Sequence, residues 1–421
     1  MPEITNLADK IEKRLPSELV GFMQQAGRLS AGKGESVYLV GGVVRDLLLG
    51  KTNLDIDLVV EGDAVALARQ LIGNETGKIT IHRQFNTANI KWYKWSIDLT
   101  SARRETYARP GALPAVRPGS LSDDLFRRDF TINAMAVELN IEGYGRLIDL
   151  YSGLEDLEYG LIRILHEKSF IDDSTRIWRG LRYEQRLDFQ LEANTLRLLK
   201  RDIPMLDSIS GDRIRYELEC ILQEELPEKV FRRAEELGLL VKLNPSLKGN
   251  GWLAEKFNQA RKMSLPDRPP PGLYISLLTY SLTDNDKERF IAYLRLPKPL
   301  AQTLRDTGNI KARLRQLADA KLSPSVIYHL LYGYSPQAVT ANLIASDSPI
   351  ARRHLQLYMD KLRYIKPLLT GNDLIKMGIP PSPRIKEILN QLLDARLDGK
   401  VKTREVEEGV VGEGITRKGY G

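Results

Sequence analysis

The feature that most constrains the fold is a change of hydrophobic rhythm near Ser174. From Val37 to about Leu150, short β-type runs alternate with helical patterns, whereas beyond Ser174 nearly every segment repeats its apolar residues at helical spacing. A chain with that switch is expected to fold as an α+β protein, a mixed-sheet head followed by helices. In the head, Val37 to Val40 and Ile56 to Val60 read as strands, and Val43 to Leu49 and Ala64 to Ile72 as helices. Ile79 to His82 and Ile90 to Leu99 read as two further strands. Downstream, Asp173 to Leu187 and Asp212 to Glu225 read as helices, the second capped by Asp212. The stretch Pro266-Asp-Arg-Pro-Pro-Pro-Gly272 reads as a non-helical linker, because proline removes backbone donors and restricts its neighbours. From Thr370 to Asp398, residues Ile385, Ile388, Leu389, Leu392, Leu393 and Leu397 share one helical stripe. Beyond Glu408 the glycine-rich tail is expected to fray.

Composition narrows the function classes. The 421 residues, 42% hydrophobic and 28% charged, suit a globular protein of two to four folding units. No apolar run is long enough to span a bilayer, and Met1 to Pro16 lacks the apolar core of a signal peptide, so a cytoplasmic protein with no membrane partner is expected. The single cysteine, Cys220, excludes an internal disulfide and a cysteine-based zinc site. His82, His166, His329 and His354 lie far apart, without ligand spacing. The net charge of +7 is compatible with a polyanionic partner.

The chemistry concentrates in the head. Gly41-Gly42-Val43-Val44-Arg45-Asp46 is followed by Asp55-Ile56-Asp57 on a strand-like run. Side chains alternate along a strand, so Asp55 and Asp57 share one face and Ile56 and Leu58 the other. Two carboxylates so placed can share magnesium ions, which prefer a few carboxylate oxygens, water and phosphate to an all-protein cage. A glycine turn between strand and helix lets backbone amides approach phosphate, with Arg45 in reach of a triphosphate. Each fragment by itself also fits a tight turn or a solvated strand edge; it is the combination that points to a site. Gly50-Lys51-Thr52 resembles the end of a P-loop, but the first glycine of that motif would fall at Arg45, so the P-loop reading fails. Asp98, between Ile97 and Leu99, suits a third carboxylate, and Arg128 in Arg127-Arg128-Asp129 a second triphosphate clamp.

Taken in order, Tyr38-Leu-Val-Gly-Gly-Val-Val-Arg-Asp-Leu-Leu-Leu-Gly50, Asp55-Ile-Asp57 and Arg127-Arg-Asp-Phe-Thr-Ile-Asn-Ala134 resemble the motifs of the bacterial-type (class II) tRNA nucleotidyltransferases, the family of CCA-adding enzymes and bacterial poly(A) polymerases. The resemblance covers Val37 to Leu187 and returns at Gly211 to Glu217 and Gly371 to Leu374. It implies a polymerase-β-like catalytic head (1–150), a helical neck (151–225), a helical body (226–368), a helical tail for tRNA (369–408) and a flexible terminus (409–421). It implies Asp55 and Asp57 as magnesium ligands, Asp98 as a further catalytic carboxylate, and Gly42, Arg45 and Arg128 on the incoming triphosphate.

Asp172-Asp173-Ser-Thr-Arg176-Ile-Trp-Arg179-Gly-Leu-Arg182 is similar to the family's nucleotide-reading helix. Residues three apart share a helical face, which would align Asp173, Arg176, Arg179 and Arg182. Aspartate only accepts and arginine only donates, so Asp173 and Arg176 match the amino donor and ring-nitrogen acceptor that cytosine and adenine share; uracil and guanine invert that pattern. Arg179 and Arg182 would lie nearer the phosphates. Asp172 stands where glutamate is common, with the expected role of orienting Arg176, and Ser382 and Lys386 replace glycines that often flank the last helix. The long loop from Ala102 to Gly119 argues against CC-only addition. Its Pro-Gly-Ala-Leu-Pro stretch looks like that of A-adding members, so CCA addition and A-only addition both stay open. The expected reaction is attack of the tRNA 3′-hydroxyl on CTP or ATP with release of pyrophosphate, and no protein partner is implied. The alternatives are a poly(A) polymerase on the same scaffold, or a non-catalytic RNA-binding protein.

Overall fold

A computed structural model describes residues 5–73, 77–83, 86–112 and 114–417, with side chains through 412. Leu113 of the long loop and 418–421 of the tail lie outside the described residues. The chain divides into two compact units, Met1–Leu226 and Pro227–Gly421.

Strands β1 (Ser36–Val40), β2 (Ile56–Glu61), β3 (Gly77–His82), β4 (Thr87–Trp92), β5 (Trp95–Ser101), β6 (Arg103–Thr106), β7 (Ala115–Pro118), β8 (Met135–Glu138) and β9 (Leu147–Asp149) all lie in the first unit. Seven of them form one sheet in the order β3-β4-β5-β2-β1-β8-β9. Only β2 and β5 pair in parallel; the other neighbours are antiparallel. The central strands read as continuous apolar runs because both faces are covered. On one face Tyr38, Val40 and Val59 pack with Leu121 and Leu125 of the short helix Leu121–Phe126. The other is covered by the helices Ser17–Ala31 and Ala64–Ile72.

Several sequence expectations change. Ile90 to Leu99 is not one strand but the hairpin β4-β5, with Trp92 opposite Trp95. The turn is Tyr93-Lys94, with Tyr93 at φ 50°, and it carries no glycine, asparagine or aspartate to announce it. The Ala102–Gly119 loop is largely a ribbon in which β6 pairs with β7. The reading helix begins at Thr175, not Asp173, after a break where Asp173 is extended. The helix expected over Asp212 to Glu225 runs Gly211–Leu222 with Ser210 at its N-cap; Asp212 lies in the first turn, bonded to Arg215, and does not cap it.

In the second unit, helix Gly251–Ser264 ends before the prolines and helix Pro271–Leu278 begins on them. Pro271 and Gly272 are therefore helical after all, since proline's missing N–H costs nothing in a first turn. The stripe of the last leucines is divided. Leu392, Ile385, Ile388 and Leu389 pack with Leu369, Leu374, Ile379 and Val411, while Leu393 and Leu397 join the cluster around Tyr328 and Leu331. The fraying expected beyond Glu408 is replaced by a helix, Arg404–Arg417. Val411 anchors it in that core. The buried Glu407 carboxylate accepts from the amides of Leu368 and Leu369 at 2.7–3.0 Å.

Candidate active site

The site grows from the central pairing of β1, β2 and β5. Val40 pairs with Asp57, and Asp57 with Asp98, so Asp57 and Asp98 stand side by side on adjacent parallel strands. Ile56 and Leu58 are buried on the opposite face, as period two requires. Asp55 precedes β2 and is exposed, its backbone N–H donating to Asn53 Oδ1 at 2.9 Å. Asp98 is exposed and accepts from Asn89 Nδ2 at 2.8 Å. Burial pushes the Asp57 carboxyl up to about 6; Arg128 works against that shift, and Asp55, Asp98 and Asp124 add to it. Among the described residues no three His, Cys, Asp or Glu side chains form a ready-made metal cage. Two or three crowded carboxylates with open coordination are nonetheless the donor set that suits magnesium.

Beside them, Gly41 turns β1 into the helix Gly42–Leu48 at φ 80°, ψ −144°, a region that side chains avoid. A Cβ there would lie 3.1 Å from Arg128 Nη1 and 3.3 Å from Asp57 Oδ2, so the glycine lets clamp and carboxylate approach the turn. Arg128 is tied at 3.0 Å to buried Asp124. Burial pushes Asp124 up, but Arg128 and Arg127 outweigh it and hold the carboxyl below its ordinary value. Arg45 is almost fully buried, with its guanidinium bonded to Asp46 at 2.9 and 3.0 Å and to Asn133 at 2.6 Å. It lines the cavity wall as a braced residue.

One cavity of about 800 Å³ joins these groups to the helix Thr175–Leu187 and the residues just before it: Gly41, Gly42, Arg45, Asp55, Asp57 and Arg128 line it together with Asp173, Arg176, Arg179 and Arg182. Every expected site residue except Asp98 is on that wall. Asp173 does not share the helical face of the arginines. It sits ahead of the helix, where its Oδ1 accepts from Thr175 N at 3.0 Å, Thr175 Oγ1 at 2.6 Å and Arg213 Nη2 at 2.6 Å. Its Oδ2 makes no hydrogen bond among the described residues. Arg176 is buried and held by Ser169 Oγ at 2.7 Å and the Arg127 carbonyl at 2.5 Å. Asp172, expected to orient it, lies 3.9 Å from His166 Nε2; burial raises its pKa, against the pull of the Arg176 charge. Arg179 is bonded to Asp129, whose charge raises the arginine's pKa further. Burial pushes Asp129 up, but Arg179 and Asn133 outweigh it and hold it well below the usual range.

Arg213, Asp129, Asn133 and Tyr183 were given no role from sequence. Asp129 and Asn133 stand four residues apart inside the run Arg127 to Ala134, beside the arginines that the sequence singles out. Arg213 and Tyr183 reach the cavity only through tertiary packing.

Residues 37–163 match the Poly A polymerase head domain, and 188–249 a segment described as the probable RNA and SrmB-binding site of polymerase A. The A-adding tRNA nucleotidyltransferase of Geobacter sulfurreducens is 37% identical over 94% of this chain and 47% of its own length. That of Halalkalibacterium halodurans is 31% identical over 95% of this chain and 93% of its own. The chain thus spans about half the length of the first relative and nearly all of the second. Among solved structures, the Thermotoga maritima CCA-adding enzyme complexed with tRNA superposes with a TM-score of 0.76 at 30% identity, covering 98% of this chain and 100% of that one. Identity of 31–37% over nearly the whole chain establishes that the chain belongs to the family of tRNA nucleotidyltransferases and poly(A) polymerases.

Proposed function

We propose that this chain adds the terminal adenosine to tRNA ending in CC, by attack of the 3′-hydroxyl on the α-phosphate of ATP with release of pyrophosphate. The observation that carries this is the single cavity shared by Asp55 and Asp57 at one end and Asp173 and Arg176 at the other. The Geobacter and Halalkalibacterium relatives, both A-adding enzymes, support the choice of nucleotide. Full CCA addition is the second reading, favoured by the base-reading pair itself, since cytosine and adenine present the same amino donor and ring acceptor.

In this reading Asp55 and Asp57, with Asp98 beside them, hold divalent cations, taken to be magnesium. Bound there, the cations would stabilise charge on the attacking and leaving oxygens. In this reading Asp98, exposed and next to Asp57, accepts the proton of the 3′-hydroxyl, supported by the pairing of Asp57 with Asp98 on adjacent strands. Arg128 offsets phosphate charge, and the Gly41–Gly42 turn leaves room for the triphosphate. Asp173 accepts the adenine amino hydrogen through Oδ2, and Arg176 donates to the ring nitrogen. Pairing of both edges rejects guanine and uracil because either would leave a buried group unpaired. The head, neck, body and tail division implied by the family resemblance is part of this proposal.

The test is incubation of the pure protein and magnesium with tRNA transcripts ending before CCA, in C or in CC, with labelled CTP or ATP. A-only addition predicts a single adenosine on the CC transcript and nothing on the others. Extension of all three transcripts supports the second reading, long adenosine tails support a poly(A) polymerase, and no incorporation removes the proposal.

A further inference from the structure

We propose that Tyr183 is a positioning residue for nucleotide binding, its ring holding Arg45, Arg179 and Arg182 at the cavity wall. This rests on the cavity being the site for a nucleoside triphosphate. The guanidinium carbons of the three arginines lie 5.2, 5.9 and 5.0 Å from the ring centroid. All four residues line the same cavity. The ring is buried and is met edge-on by Phe130 at 5.9 Å and 81°, with Phe130 itself fully enclosed. Arg179 and Tyr183 are one helical turn apart on Thr175–Leu187, whereas Arg45 comes from the helix after the glycine turn. The ring is therefore the point where the turn and the reading helix are locked together.

Three like charges around one ring repel each other, so each needs an anchor. Arg45 has Asp46 and Asn133, and Arg179 has Asp129. Arg182 is the weakly held one. Its carboxylate partners, Glu217 and Glu224, stand off at 3.5 Å, and its buried Nε has no hydrogen-bond partner among the described residues. The negative face of the aromatic ring is what remains to fix its direction, and attraction of a cation to such a face strengthens when water is excluded. A phosphate group then meets pre-placed arginines and bears less of the cost of ordering them.

The experiment measures equilibrium binding of ATP with magnesium to the full chain. It compares Tyr, Phe, 4-fluoro-, 3,5-difluoro- and 3,4,5-trifluorophenylalanine at position 183. These rings are nearly the same size, but fluorine drains the negative face stepwise, which a purely space-filling role would not register. Tyr183→Phe is expected to bind within about twofold of the native chain, and Kd to rise stepwise to about three- to tenfold at the trifluoro ring. Tyr183→Leu is expected to lose at least as much. A Kd that stays flat across the fluorinated series, or a loss already complete in Tyr183→Phe, overturns the proposal. Binding is read without turnover, so a chain that binds ATP but transfers nothing to tRNA contradicts the transfer reaction and leaves this test intact.

Discussion

Asp57 carries its charge at a cost to the fold. Its native carboxyl titrates at about 6 because of burial, with Asp55, Asp98 and Asp124 reinforcing the shift against Arg128. A carboxyl raised in the folded state penalises folding when it is ionised. The penalty is absent below the unfolded value near 3.8, grows as pH rises towards the native value, and is complete above about 6. Without divalent cations, Asp57→Asn is therefore expected to stabilise the first unit at pH 8 by roughly 1–3 kcal/mol and to give no gain near pH 4. Urea denaturation at the two pH values checks this, and an equal gain at both would contradict the assignment. At the other end of the cavity, Arg213 and Thr175 fix one oxygen of Asp173. Arg213→Ala frees that carboxylate to rotate, and the preference for ATP over GTP in kcat/KM is expected to fall by about tenfold. An unchanged ratio would mean that Arg213 does not orient the base reader.

At the scale of elements, the helix Arg404–Arg417 tests the packing account most sharply. Glu407 is fully buried, accepts from the amides of Leu368 and Leu369, and pairs with Arg396 at 3.4 Å. Glu407→Ala leaves two amides and a guanidinium without that partner and is expected to cost about 2–4 kcal/mol, read by urea denaturation of the full chain. A cost below about 0.5 kcal/mol, the range usual for surface substitutions, would mean that the helix is not docked. The sequence hid this helix because its glycines and mixed charges weaken the apolar stripe. Val411 and Glu407 gain meaning only against residues nearly forty positions earlier. The Tyr93-Lys94 turn was hidden for a related reason, since its aromatic neighbours suit strands and its two residues do not advertise a turn. By contrast, β1 and β2 were legible because their apolar runs are bounded by glycine and polar residues, and Asp57 because it alternates with the buried Ile56 and Leu58; Asp55 lies just ahead of β2, where alternation does not reach. The break at Asp173 was not legible: a short aspartate that bonds the backbone two residues on competes with helix formation, and helical spacing of the arginines masks it. Arg45 shows the same limit in reverse, since its position was readable but its bracing by Asp46 and Asn133 was not.

At the scale of the molecule, the chemistry lies in the first unit and the second is helical. The positive charges of the second unit are partly committed: Arg305 pairs with Glu288, and Lys311 donates to the Tyr280 carbonyl. The count of 62 Lys and Arg therefore overstates the number of cations free to meet RNA phosphates, and affinity for tRNA is expected to depend on a subset of them. The account's central claim is that one cavity, with Asp57 at its reactive end, transfers the nucleotide. The most direct measurement is single-turnover incorporation of labelled ATP onto tRNA ending in CC by the native chain and by Asp57→Ala, with tRNA affinity measured in parallel by filter binding. The account predicts one adenosine added by the native chain, and none by the variant while its tRNA affinity stays within about twofold, because the carboxylate acts on the reaction and not on the RNA grip. Adenosine transfer by Asp57→Ala at a rate near that of the native chain would contradict it.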